Sequence, residues 1–407
     1  MKLPKEWEFR KLGTVVSKQK YAMVDGPFGS NLKSEHYKTS GIPVLQSGFV
    51  TSGKFFAKSY VYVDKELFDQ QRRSAAKGGD LLMAKIGAQA GKCAIIPLDH
   101  PESIIAGNCL KLSFDEEQNS TEFFNMVLAY NYDKNGLCEI KTETAQPAIS
   151  LKSLKDYKVP VPPLSEQKKI AKILSTWDQA ISATEKLLEN SQQQKKALMQ
   201  ELLTGKKRLL DENGVNFIKP WDICELKDIA QIIMGSSPKS EFYNDLGHGL
   251  PLIQGNADIK NRYSNPRIYT SEITKECINE DVLLSVRAPV GTVARSKHHA
   301  CIGRGIAAIR AKLNVSQSFL YHLMIWKEPK WANFSQGSTF ESINSDDIKS
   351  LKLLVPTLEE QKKIGRVLYL ADQEIETLQK KLDCLKQEKK ALMQQLLTGK
   401  KRVKVAA

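Results

Sequence analysis

No stretch of this 407-residue chain approaches the ~18 consecutive apolar residues of a membrane span, and Met1 to Arg10 lacks the apolar core of a signal peptide. Both absences point to a protein that stays in the cytoplasm. Cysteine is sparse as well. The seven residues Cys93, Cys109, Cys138, Cys224, Cys277, Cys301 and Cys384 form no CxxC pair, and their odd number and irregular spacing argue against a disulfide framework and a zinc site. They read as reduced core thiols. Six histidines, His298 and His299 among them, show neither HxxxH nor HxxEH spacing, so no metal is expected in this chain.

Catalytic constellations are missing too. Gly87 to Cys93 (GAQAGKC) resembles a phosphate loop, but three residues rather than four separate its glycines, and a cysteine stands where a magnesium-binding hydroxyl belongs. Glu139-Ile140-Lys141 could end a metal-dependent nuclease motif, yet no acidic residue upstream stands in strand context. Asn265-Pro266-Arg267-Ile268-Tyr269 lacks the second proline of the Asn/Asp-Pro-Pro-aromatic motif of amino-methyltransferases, and no glycine-rich cofactor loop accompanies it. The chain is expected to do no chemistry itself.

What the sequence does contain is a duplication. Leu164 to Arg208 recurs at Leu358 to Arg402, at a constant offset of 194, with 26 of 45 residues identical and no gap. Both copies begin near EQKKI and end in KKALMQ and LLTGKKR, and apolar residues recur between them at alternating spacings of four and three, the pattern of a coiled-coil seam. The first seam reads Ile170, Leu174, Trp177, Ile181, Thr184, Leu188, Ser191, Lys195, Leu198, Leu202. The second reads Ile364, Leu368, Ala371, Ile375, Leu378, Leu382, Leu385, Lys389, Leu392, Leu396. Each copy should be one helix of about 40 residues and roughly 60 Å, too long to bury its stripe alone. The two are expected to pair antiparallel, because the segment between them joins the end of one to the start of the other. The seam lysines Lys195 and Lys389 either fix the register or snorkel.

The segments outside the helices also resemble each other, faintly. Trp7 and Leu12 match Trp221 and Leu226; GIPVLQ (41–46) matches GLPLIQ (249–254); GDLLMAKIGAQAGKCA (79–94) matches EDVLLSVRAPVGTVA (280–294), a strand-turn-strand pattern. A helix follows in each, at Thr121 to Tyr130 and Ser318 to Lys327. Each then closes on a short helix, a strand and prolines that release the chain into the coil. Of the net charge of +14, half lies in Lys206, Lys207, Arg208, Lys400, Lys401, Arg402 and Lys404. These follow the helix-ending Gly205 and Gly399, where cations oppose the negative end of the helix dipole. The expected fold is α+β, two mixed lobes separated by a long antiparallel two-helix coiled coil.

Two variable lobes, each followed by a helix carrying PxLxEQKKI at its start and LMQxLLTGK at its end, resemble the specificity subunit of type I restriction-modification systems. The likeness spans essentially the whole chain. GPFGSNLK (26–33), GSSPKSEFYN (235–244) and TAQPAIS (144–150) are also similar to loops of that family, with weaker specificity. The resemblance implies target recognition domains at 1–163 and 206–357, a central spacer helix at 164–205, and a C-terminal spacer helix with a basic tail at 358–407. It implies as partners double-stranded DNA, two modification (methyltransferase) subunits and restriction/translocase subunits, with S-adenosylmethionine, ATP and Mg held by those subunits and no cofactor in this chain.

If the lobes read DNA, bases are read by Arg or Lys on guanine and by Asn or Gln on adenine, whereas phosphate contacts only position. Such residues in loops and at strand ends are Asn31, Lys33, Lys54, Lys85, Gln89, Lys92 and Gln146 in lobe one. In lobe two they are Ser237, Lys239, Arg262, Arg287, Arg304 and Gln336. Two rival classes stand beside this reading. One is a standalone DNA methyltransferase or nuclease with a recognition lobe; the other is a structural coiled-coil adaptor whose lobes bind proteins. A charge-led reading, nonspecific nucleic-acid binding, explains the basic tails but not a duplication with differing lobes.

Overall fold

Between Pro163 and Gly205 nothing in the sequence breaks a helix, and in the structure, a computed structural model, Leu164–Leu202 is one 39-residue helix. Its duplicate, Leu358–Leu396, is also 39 residues long. At 1.5 Å per residue each measures ~58 Å. Gly205 and Gly399 end them in the left-handed region, both at φ 71°, where a side chain would be strained. The structure describes residues 3–27, 31–334 and 342–404. Contacts group the chain into two units, Met1–Ala183 with Leu382–Ala407, and Thr184–Lys381, so each unit contains one lobe and half of each long helix.

Within each unit the helices run antiparallel, as the connectivity predicts. In unit one Ile170 and Leu174, near the start of the central helix, share a core with Leu396 and Leu397 at the end of the C-terminal helix. In unit two Met199, Leu202 and Leu203 share a core with Ile364 and Leu368. Along the central helix Ile170, Leu174, Thr184, Leu188, Ser191 and Leu202 are buried, and Trp177, Ile181, Lys195 and Leu198 half-buried. Along the other, Ile364, Leu368, Leu382 and Leu396 are buried, and Ala371, Ile375, Leu378, Leu385, Lys389 and Leu392 half-buried.

The polar seam positions carry reciprocal ion pairs. Lys389 Nζ donates to Asp178 Oδ1 at 2.6 Å in unit one, and Lys195 makes the same contact with Asp372 in unit two. The second pair sits at the positions that the repeat makes equivalent to the first. Sliding one helix by a heptad would carry each lysine ~10 Å from its aspartate, so the pairs penalise wrong registers. In unit two the Asp372 carboxylate also accepts from His322 Nε2 at 2.9 Å, and His322 is fully buried.

The conserved-looking ends of the repeat turn out to be clasps. Arg208 donates through Nε and Nη2 to both oxygens of the fully buried Glu360, at 2.6 and 2.8 Å, and Trp221 Nε1 donates to the same carboxylate at 3.2 Å. Unit one repeats the device with Arg402, Trp7 and the buried Glu166; Trp7 Nε1 lies 3.3 Å from Glu166 Oε2. The expectation that these arginines simply oppose a helix dipole therefore needs correcting, because each is bound to a glutamate of the opposite repeat. The glutamine beside each glutamate ties the helix start to its lobe. Gln167 Nε2 donates to Pro162 O and its Oε1 accepts from Ser120 N, and Gln361 does the same with Pro356 O and Ser316 N, each at 2.9 Å.

The lobes share a plan. Lobe one has an antiparallel sheet in the order Met23–Asp25, Cys109–Leu112, Leu81–Ala84, Cys93–Ile95. Lobe two has Ala230–Met234, Ile306–Ala311, Val282–Ser285, Val293–Arg295 in the same places, extended by Tyr263–Ser264 and Ile259–Lys260. Leu81–Ala84 and Val282–Ser285 are buried throughout, as strands covered on both faces must be, and read as continuous rather than alternating apolar runs. One face receives the helix Thr121–Asp133 or Gln317–Phe334 together with the long helices. A second sheet in each lobe has a parallel central pair, Ile42–Leu45 with Ser103–Ile105 and Leu250–Ile253 with Ala300–Ile302. The thiols divide: Cys93, Cys109, Cys277 and Cys301 are buried and Cys224 partly so, but Cys138 and Cys384 are exposed, correcting the expectation of seven core residues. Burial pushes the Cys93 thiol up to about 12.

Replacing Glu360 by Ala strands Arg208 and Trp221. It is expected to destabilise unit two by ~3 to 5 kcal/mol, measurable as an earlier denaturant transition. Burial raises the Asp372 pKa, but the His322 hydrogen bond and the Lys195 ammonium outweigh it, and the net direction is down. A depressed carboxylate stabilises the fold above its unfolded pKa and loses that contribution as pH falls through the folded value. Asp372→Asn should therefore lower the melting temperature at neutral pH and flatten its decline below the ordinary aspartate range.

Candidate nucleic-acid interface

Equivalent backbone hydrogen bonds align the two lobes residue by residue around one cleft. Lys85 N donates to Asn108 O as Val286 N does to Gly305 O, and Ala106 N donates to Leu45 O as Gly303 N does to Ile253 O. Gln46 thus corresponds to Gln254, Ser47 to Gly255, Ile86 to Arg287, Gly107 to Arg304 and Asn108 to Gly305. In lobe one Asn108 Nδ2 donates to Ser47 Oγ at 2.9 Å across this framework. Lobe two has glycine at both places. Gly305 lies so close to the chain that a Cβ would meet Gln254 O at 2.3 Å, so no side chain could be added there without moving backbone.

The result in lobe two is a cavity of about 550 Å³ lined by Ser237, Gln254, Asn256, Asp258, Arg267, Arg287 and Arg304, with Gly255, Ala257, Ala288, Pro289 and Gly305. Three arginines and one aspartate are among the lining residues. Asp258 is almost fully buried and engaged on both oxygens, accepting from Gln254 N and from Arg267 Nε, each at 2.9 Å. Gln254 Nε2 donates to Tyr243 Oη at 2.9 Å, and Ser237 Oγ accepts from the Arg304 backbone N–H at 3.2 Å and from its Nε at 3.4 Å. The Arg287 side chain is exposed. A cleft with this excess of donors and positive charge suits an anionic ligand rich in acceptors, such as a base edge flanked by phosphates.

Of the residues expected from sequence to contact DNA in lobe two, Ser237, Arg287 and Arg304 come together here. Lys239 is exposed and lies 3.8 Å from Glu241. Arg262 is tied to Glu328 at 2.5 Å and to Val293 O at 3.0 Å, and Glu328 raises its pKa. Gln336 lies outside the described residues. Sequence reasoning missed Arg267, Gln254, Asn256 and Asp258. Gln254 ends the duplicated GLPLIQ, and Arg267 lies in the segment considered only as a broken methyltransferase motif.

Lobe one is built differently. Lys85 is buried, its ammonium 3.0 Å from Asp25 Oδ2, and Arg73 Nη2 holds the other oxygen at 2.8 Å; the expectation that Lys85 projects toward DNA is thus corrected, because this cation is inside the lobe. Gln89 and Lys92 gather around Tyr132. The tyrosine hydroxyl lies 3.5 Å from Gln89 Oε1, Lys92 Nζ is 5.4 Å and Lys141 Nζ 4.8 Å from the ring centroid, and Lys92 donates to Thr51 O at 2.7 Å. Burial raises the pKa of Tyr132. Asn31, Lys54 and Gln146 are exposed, and Lys33 is exposed 3.3 Å from Glu35. Arg73, Asn108 and Lys141 were missed.

Two lobes on one framework, with different side chains at the equivalent positions, and a duplicated pair of antiparallel helices define a class of internally repeated protein with two recognition-type lobes. The family model for the type I restriction modification DNA specificity domain matches the chain twice, over residues 4–191 and 218–387, and the chain belongs to that family. It is 32% identical to the putative type I restriction enzyme MjaX specificity subunit of Methanocaldococcus jannaschii, over 99% of this chain and 95% of that protein. It is 25% identical to the MjaVIII specificity subunit of the same organism, with the same coverage. Among solved structures, the HsdS subunit from Thermoanaerobacter tengcongensis aligns with a TM-score of 0.51 at 23% identity, and the S subunit from M. genitalium with 0.63 at 16%; both alignments cover 98% of each chain. At these identities the likeness to the solved structures is one of fold.

Arg287→Ala should weaken DNA binding by ~1 to 3 kcal/mol at one base position if the guanidinium grips a guanine. Competition binding against single-base variants checks this, and an equal loss on all sequences would indicate a phosphate contact.

Proposed function

We propose that the chain is the sequence-specificity subunit of a type I restriction-modification complex, in which each lobe reads one half of a bipartite DNA target. The paired helices set the spacing of the half-sites and dock two modification subunits. Those partners carry S-adenosylmethionine and the methylation of adenine, and restriction/translocase subunits carry ATP and Mg. The chain performs recognition in the cytoplasm and no bond-making of its own. Among its described residues no helix is long and apolar enough to cross a membrane.

One observation carries this reading. The same backbone framework occurs twice and bears Ile86 and Gly107 in one lobe where the other bears Arg287 and Arg304, whereas the helices that follow keep the same ion pairs and clasps. Divergence is thus marked at the surfaces that would read sequence, while the contacts that join the helices recur. Uniform helices suit a docking and spacing role that is independent of the sequence read.

Methylation mapping in cells expressing the chain with its modification subunit tests the proposal. Replacing residues 1–163 by another first lobe should change one half of the methylated motif and leave the other. A motif that changes entirely, or not at all, would overturn the reading, and methyl transfer by the purified chain alone would favour a standalone enzyme. Adding four residues to both helices should alter the gap, expected near one helical turn of ~10 base pairs centre to centre, without altering either half-site.

A further inference from the structure

The cleft of lobe two holds one arginine whose position is set before any ligand arrives. Arg267 stands immediately before the strand Ile268–Thr270, and its Nε donates to Asp258 Oδ1 at 2.9 Å. The side chain of Asp258 is 3% exposed and that of Arg267 is 63% exposed. The carboxylate itself is fixed, because its other oxygen accepts the Gln254 backbone N–H. One edge of the guanidinium is therefore anchored to a rigid, buried anion. Its terminal Nη1 and Nη2 make no hydrogen bond with the described residues, and Arg267 lines the open cleft with Arg287 and Arg304.

A freely moving surface arginine suits phosphate, which accepts from many directions and carries no sequence information. A guanidinium held by Nε presents its two terminal N–H groups as a planar fork in one orientation. Two parallel acceptors about one fork apart are what guanine offers through O6 and N7 in the major groove, and no other base edge there offers such a pair. The anchoring carboxylate removes most of the rotamer freedom that binding would otherwise have to freeze.

We propose that Arg267, anchored by Asp258, is a guanine-reading residue of lobe two, so that the half-site read by this lobe contains an obligatory G·C pair. The proposal rests on the reading of the lobes as half-site readers and adds a base identity to one of them. Among the described residues of lobe one, none stands in this arrangement. Its own buried aspartate, Asp25, holds Arg73 through a terminal nitrogen and shares the remaining oxygen with Lys85, so that fork is closed.

The test uses the full chain assembled with its modification subunit, acting on a DNA library with the lobe-two half-site randomised, with methylation read by sequencing. The unsubstituted complex should require guanine at one position of that half-site. Arg267→Lys, which keeps the charge and loses the fork, should reduce selectivity at that position by about 5- to 150-fold while leaving the lobe-one half unchanged. Asp258→Asn should relax the same position; should that variant unfold, Arg267→Lys decides alone, since its side chain is mostly exposed. A lobe-two half-site without an obligatory guanine, unaltered selectivity in Arg267→Lys, or an equal loss on every sequence, as for a phosphate contact, would each overturn the assignment. Exchange of the first lobe separates the two levels. If exchange moves half of the motif and Arg267→Lys changes nothing, only this assignment falls; if exchange moves nothing, the two-reader function falls with it.

Discussion

The fold depends on a buried charge pair formed twice between the repeats, Glu166 with Arg402 and Glu360 with Arg208. A carboxylate taken wholly out of water is tolerable only with full hydrogen-bond compensation, and each of these has a guanidinium and an indole N–H. The partners come from three places, the start of one repeat, the end of the other and the N-terminal edge of a lobe. One interaction therefore sets helix direction, places the lobe at the helix start and terminates the opposite helix. The Lys–Asp pairs further along the seam add register to direction, and apolar burial in each unit supplies the bulk of the stabilisation.

That frame leaves the outer loops of the lobes free to diverge. Strands such as Leu81–Ala84 and Val282–Ser285 are committed on both faces, and the turns beyond them pack on one side, through Ala90 and Val290, while Arg287 on the other is exposed. Lobe two uses this freedom for an open cleft with three arginines. Lobe one closes the same region with the Ser47–Asn108 hydrogen bond and internalises a lysine. Side chains so different on one backbone give the two lobes chemically different surfaces.

Periodicity made the helices legible, because a 3.5-residue apolar repeat over about five heptads is the pattern of a coiled-coil seam, and connectivity favoured the antiparallel direction. The strand-turn-strand segments were legible because they recur. Other features depended on contacts between residues more than a hundred positions apart and were not. Nothing local distinguishes Arg208 or Arg402 from the capping lysines beside them, and nothing local shows that Lys85 turns inward to Asp25 while Arg287, one alignment step away, turns outward. Arg267 escaped for a related reason. Its significance comes from Asp258, and that pairing exists only once the loop at 256–258 has folded against the strand at 268–270.

The division of unit one has an effect on synthesis. Its residues come from the first 183 and from positions 382 onward, so the partner of Glu166 and the leucines that cover Ile170 and Leu174 are made about 200 residues later. At ribosomal rates of about 5 to 20 residues per second, the first lobe waits roughly 10 to 40 s with its helix stripe bare. During that interval it is a client for whatever binds exposed apolar surface. A premature stop near residue 380 would therefore leave the first lobe unfinished, although that lobe had left the ribosome long before.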